Sequence, residues 1–136
     1  MIAGNYKQFD MTTRRILIID DEYDIRAVAQ LTLKAVGGWD VSIAASGAEG
    51  LRQAVDEQPD VILLDVMMPD MDGIETFRAL QANPATQSIP VILMTAKVQA
   101  AEQRRFAELG VAGIIPKPFK AMKLPDQIAK TLGWNN

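Results

Sequence analysis

The chain has 136 residues, 49% hydrophobic and 23% charged, with a net charge of −3. This suits one globular domain and excludes a disordered chain. It contains neither cysteine nor histidine, which excludes disulfides, thiol catalysis, thiolate or imidazole metal sites and a phosphohistidine of its own.

Residues 1–13 mix polar and apolar types without a period, lack the apolar core of a secretory leader, and read as a tail. Ile16-Leu17-Ile18-Ile19 is an unbroken apolar run, the mark of a strand buried on both faces, and it closes on Asp20-Asp21. Residues 24–36 place Ile25, Val28, Ala29, Thr32 and Ala35 or Val36 at helical spacing, and Gly37-Gly38 stops that helix. Residues 39–44 alternate and predict a second strand. Ser46, with Glu49 three positions on, predicts the cap of a helix over 48–57. Val61-Ile62-Leu63-Leu64 predicts the third strand, closing on Asp65. A loop follows over 67–73, with Asp72 placed to cap a helix over 74–81 that Asn83-Pro84 breaks. Residues 90–95 predict the fourth strand, ending on Thr95, and 100–109 a helix ending at Gly110. Residues 112–115 predict the fifth strand; Pro116 lacks an amide hydrogen, which puts this strand at a sheet edge or ends it there, just before Lys117. The last helix is predicted over 124–132, with Pro125 in its first turn, before a short tail at 133–136.

Strand then helix, five times over, predicts an α/β fold: a three-layer, doubly wound, five-stranded parallel sheet with five helices, in one domain over 14–132. No basic stripe points to nucleic acid. No apolar stretch approaches the roughly 20 residues of a membrane span, so a cytoplasmic location is expected.

In such sheets the functional crevice lies beyond the carboxyl ends of the strands. Asp20, Asp21, Asp65, Thr95 and Lys117 all fall there. Three crowded carboxylates repel, and a divalent cation removes the conflict. Mg2+ accepts oxygen ligands and keeps several waters. Asp21 and Asp65 are expected as direct ligands, Asp20 directly or through water, and Met67 through its backbone carbonyl. A carboxylate beside Mg2+ can attack phosphorus to give an aspartyl phosphate, for which Lys117 supplies positive charge and Thr95 a hydroxyl donor. Asp65, on the central strand, is the expected nucleophile. Taken singly, each has an ordinary explanation: a strand-end Asp is most often a cap or turn residue, Thr95 an N-cap, Lys117 a solvated charge. Met67, Met68 and Met71 read as loop packing, and Trp39 and Trp134 as packing or tail residues. The joint placement at strand ends carries the functional reading.

The segments Ile-Leu-Ile-Ile-Asp-Asp-Glu at 16–22, Val-Ile-Leu-Leu-Asp-Val-Met-Met-Pro-Asp-Met-Asp-Gly at 61–73, Val-Ile-Leu-Met-Thr-Ala at 91–96 and Lys-Pro-Phe at 117–119 resemble the receiver domain of bacterial two-component response regulators. The resemblance covers about residues 14–132. It implies the flavodoxin-like strand order 2-1-3-4-5. It implies Asp65 as phosphoacceptor, Asp20 and Asp21 as the acidic metal-binding pair and Met67 as the carbonyl ligand. Thr95 matches the switch hydroxyl and Lys117 the phosphate-contacting lysine, and the Lys117–Pro118 bond is one that is usually cis in the family. The implied donor is a phosphohistidine on a sensor histidine kinase or histidine phosphotransfer protein, the cofactor Mg2+, and the outcome a changed surface for a downstream protein target. The resemblance implies a switch that assists its own phosphorylation and dephosphorylation, not an enzyme acting on other substrates.

One position departs. Ile114 stands where the family often has Tyr or Phe, and it cannot reproduce the ring exchange or hydrogen bond of that aromatic. Met67 and Lys97 sit in loops beside the site. The long, apolar Met67 side chain is expected to hinder water and slow self-dephosphorylation. The last helix uses most of the chain after Lys117, so a stand-alone single-domain regulator, or a piece of a longer one, is expected. Two other readings compete. A Mg2+-dependent phosphohydrolase would often carry a second Asp where Met67 stands. A phosphorylation-independent pseudo-receiver is favoured by Ile114 and opposed by the intact acid set.

Overall fold

The computed structural model describes residues 13–69, 71–96 and 99–134. Its elements alternate as read: β1 (Arg15–Ile19), α1 (Tyr23–Ala35), β2 (Asp40–Ala44), α2 (Gly47–Glu57), β3 (Val61–Asp65), α3 (Gly73–Ala82), β4 (Val91–Thr95), α4 (Ala100–Leu109), β5 (Gly113–Pro116) and α5 (Leu124–Leu132). A single 3-10 turn, Ala121–Lys123, precedes α5. The strands form one parallel sheet in the order β2-β1-β3-β4-β5.

The apolar runs explain the layering. Ile16 to Ile19 in β1 and Val61 to Leu64 in β3 are fully buried, because both sheet faces are covered. Alternate residues serve opposite faces. Ile16, Ile18, Val61, Leu63, Ile92 and Met94 join Ala29 and Leu33 of α1 and Ile128 of α5 in one cluster. Leu17, Ile19, Ile62, Leu64 and Leu93 join Ala54 of α2, Phe77 and Leu80 of α3 and Phe106 of α4 in the other. Each fully buried Leu or Ile contributes about 1.5–3 kcal/mol relative to exposure.

Local signals set the helix ends. The Ser46 side chain accepts from the Glu49 amide at 3.2 Å. Asp72 and Glu75 form a reciprocal capping box, with Asp72 Oδ1 accepting from the Glu75 amide at 2.8 Å. Gly110 ends α4 with φ +95°. Element ends differ from the sequence reading by about one residue. Trp39 lies outside β2 and packs in the core, its ring edge-on to Trp134 at 5.3 Å, so both tryptophans serve packing. Pro116 is the last residue of β5, an edge strand, as its missing amide hydrogen requires.

Register carries the strands to one rim. Ile19 pairs with Leu64, so Asp20 and Asp65, each the next residue, leave the sheet side by side. Asp65 pairs with Met94 and Thr95 with Pro116, which brings Lys117 to the same edge.

Candidate metal centre

The three aspartates converge: Asp20, Asp21 and Asp65 each offer a carboxylate oxygen within 4.8 Å of the others. Asp20 and Asp65 are buried, whereas Asp21 is exposed. Lys117 reaches in from the β5 end. Its Nζ donates to Asp20 Oδ2 at 2.8 Å, and it lies 3.3 Å from Asp65 Oδ1 and 3.4 Å from Glu22 Oε1. The Lys117–Pro118 peptide bond is cis, and the Lys117 amide donates to the Thr95 carbonyl at 2.8 Å. Thr95 is buried at the end of β4.

Electrostatics follow from burial. Desolvation, reinforced by the neighbouring Asp20 charge, pushes the Asp65 carboxyl up to about 6. The Lys117 ammonium and the Met67 amide, which donates to Asp65 Oδ1 at 3.3 Å, offset only part of this. Burial pulls the Lys117 ammonium down, but its bond to Asp20 and the charges of Asp20 and Asp65 outweigh that and leave its pKa above the ordinary lysine value.

The donor set suits a hard divalent cation. Asp65 Oδ2 is buried and has no hydrogen-bond partner among the described residues. Both oxygens of Asp20 are engaged, Oδ2 by Lys117 and Oδ1 by the Glu22 amide at 2.9 Å. Asp21 and Asp65 thus keep the freer oxygens, and Asp20 is the better placed to act from behind them. An orphaned buried carboxylate oxygen among three acids is the feature a bound cation satisfies.

Met67, two residues past Asp65, is 60% exposed. Ile114 is half-buried on β5, paired with Leu93 and packed on the cluster covered by α2, α3 and α4. Lys97 lies outside the described residues.

Three further residues shape the site without having stood out as site residues. Glu22 is the third carboxylate on Lys117. Arg26 donates from Nη1 to the Asp20 carbonyl at 2.7 Å. Gly73 opens α3 against the end of β3; a Cβ there would collide with the Asp65 carbonyl oxygen and stand 2.7 Å from Val66 Cα. The Asp-Gly pair at the start of a helix is the signal that marks Gly73.

The family model for the response regulator receiver domain matches residues 16–129. The chain belongs to that family. Receivers of this kind are components of two-component signalling, and phosphorylation switching is their general role. The chemotaxis protein CheY4 of Vibrio cholerae is 28% identical with a TM-score of 0.81, over 88% of this chain and 98% of that one. The N-terminal domain of a response regulator receiver protein from Methanoculleus marisnigri JR1 is 34% identical with a TM-score of 0.72, over 90% of this chain and 98% of that one. The alkaline phosphatase synthesis transcriptional regulatory protein PhoP of Bacillus subtilis is 34% identical over 119 residues, 88% of this receiver and 48% of that protein. This receiver spans about half the length of such full regulators. Among its described residues no helix is long and apolar enough to cross a membrane.

Proposed function

We propose that this receiver is a phosphoacceptor switch in which Asp65 takes a phosphoryl group from a phosphohistidine on a sensor histidine kinase or histidine phosphotransfer protein. Mg2+ is the cofactor, held by Asp21, Asp65 and the Met67 carbonyl, with Asp20 directly or through water. When bound it neutralises the acids and the phosphate oxygens. The observation that carries this reading is the Lys117 ammonium lying against both Asp20 and Asp65 while Asp65 Oδ2 has no hydrogen-bond partner among the described residues.

In the transfer, an Asp65 carboxylate oxygen forms the bond to phosphorus as the donor's N–P bond breaks. The imidazole leaves and takes up a proton. Lys117, already beside Asp65, donates hydrogen bonds to the new phosphate oxygens. The phosphoryl group carries about −1.5 to −2 charge, and because it replaces the carboxylate charge of Asp65 the rim gains roughly one negative charge. Thr95 reports it, because its carbonyl is bonded to the Lys117 amide and its strand pairs with β5. Ile114 has no hydroxyl and no ring to swing inward, so coupling to a downstream protein target runs through Thr95 and the β4–β5 pairing. The working unit is residues 14–132, in the cytoplasm, where its donor's histidine is phosphorylated. It assists its own phosphorylation and dephosphorylation without turning over other substrates.

The alternative that Ile114 favours is a phosphorylation-independent interaction module. Intact mass after incubation with Mg2+ and acetyl phosphate separates the two. One added phosphoryl group, lost on omitting Mg2+ or in Asp65→Asn, supports the switch; no added mass supports the module.

A further inference from the structure

The Asp20–Glu22 turn is held from several sides. The Glu22 amide donates to Asp20 Oδ1 at 2.9 Å, and the Glu22 carboxylate reaches Lys117 instead of capping α1. Arg26, on the first turn of α1, adds a different kind of anchor. Its partly buried guanidinium donates from Nη1 to the backbone carbonyl of Asp20 at 2.7 Å, while its own amide donates to the Glu22 carbonyl at 3.1 Å. The guanidinium carbon lies 5.8 Å from the centroid of the Tyr23 ring, within reach of a cation–π contact.

We propose that Arg26 is a positioning residue for the cation site: its bond to the Asp20 carbonyl holds the β1–α1 turn so that Asp20 and Asp21 both face Asp65. Like charges at the rim push these carboxylates apart, and Asp21, being exposed, has little packing to oppose the push. A backbone anchor from the neighbouring helix resists it. The inference rests on the cation-site reading and extends it to a side chain that touches neither cation nor phosphoryl group.

Charge and geometry give opposite signs. As a nearby positive charge, Arg26 repels a divalent cation, so charge alone makes its removal tighten binding. As an anchor, its removal loosens the turn and weakens binding. Outer-shell partners of metal ligands are typically worth 10–100-fold in affinity.

The test compares native protein with Arg26→Met, which loses charge and donor, and Arg26→Lys, which keeps both. Mg2+ affinity is measured by calorimetry, the Mg2+ dependence of phosphoryl uptake by intact mass, and hydrogen exchange at the Glu22 amide without metal. Arg26→Met is expected to bind Mg2+ about tenfold more weakly, to need correspondingly more Mg2+ for half-maximal uptake, and to exchange faster at Glu22. Arg26→Lys is expected to recover most of each. Unchanged exchange in α3 shows that the fold is intact, and Arg26→Leu, which also lacks a donor, replaces the Met variant should that fail to fold. Unchanged or tighter Mg2+ binding in Arg26→Met, with unchanged exchange at Glu22, overturns the proposal. Native protein that binds no Mg2+ ends the cation reading instead, and the metal-free exchange then still decides whether Arg26 holds the turn.

Discussion

Lys117 and Asp20 form a 2.8 Å ion pair across 97 residues of sequence. The Asp20 side chain is fully buried and that of Lys117 is 13% exposed, so the pair is shielded from solvent. The same ammonium lies 3.3 Å from Asp65. It therefore offsets part of the acidic charge at the rim in the metal-free protein, and in the proposed transfer it supplies the positive charge that an incoming phosphoryl group requires.

Removing that charge leaves Asp20 buried and uncompensated. Lys117→Met is expected to lower metal-free stability by about 3 kcal/mol, the low end for breaking a buried pair. Mg2+ restores more stability in this variant than in native protein, because the cation takes over part of the neutralisation. Urea unfolding with EDTA and with Mg2+ measures both effects. An unchanged midpoint in EDTA contradicts the pairing.

Asp65 makes stability depend on pH in the opposite sense from a salt-bridged carboxylate. Its pKa is about 6 when folded against an ordinary 3.8, so the folded chain binds this proton more tightly than the unfolded chain. Its contribution falls as pH rises from 3.8 to about 6 and then levels off. Asp65→Asn removes that slope and is expected to raise metal-free stability at pH 7 by up to about 3 kcal/mol. Protons also compete with the cation, so Mg2+ affinity weakens below about pH 6. Unfolding of both proteins at pH 4, 5 and 7 checks the slope; parallel curves refute it.

Gly73 permits α3 to begin against the end of β3. Gly73→Ala drives a methyl group into the Asp65 carbonyl and the Val66 backbone. Backbone cannot give way like a flexible side chain, so a loss of about 1–3 kcal/mol is expected, with slower phosphoryl uptake in the folded fraction. Native-like stability and uptake would show that α3 shifts freely.

The exposed Met67 side chain offers water no hydrogen bond beside Asp65. Met67→Asn supplies one and is expected to shorten the aspartyl phosphate lifetime about fivefold, the rate equivalent of one net hydrogen bond. Lifetime is read by intact mass after donor removal. Equal lifetimes reject a role for Met67 in excluding water.

Residues whose surroundings leave a pattern were readable in the sequence. The runs ending at Asp20, Asp65 and Thr95 stand out because strands buried on both faces cannot alternate with polar residues. Pro116 marked the edge strand through its missing donor, and Ser46 and Asp72 marked helix starts through cap chemistry. The strand order came from the family resemblance, since neither period nor spacing orders parallel strands. Arg26 was hidden because its bond depends on the reach of one rotamer to a carbonyl six residues back, which leaves no periodic trace. Gly73 was read only as the end of a loop, because sequence does not say what a missing Cβ would strike.

The most direct test locates the phosphoryl group itself. After incubation with Mg2+ and acetyl phosphate, borohydride reduction converts an aspartyl phosphate to homoserine, and peptide mass spectrometry finds the altered residue. Homoserine at position 65 alone is the expected result. Modification at another aspartate, or at none while native protein binds Mg2+, would contradict Asp65 as the phosphoacceptor.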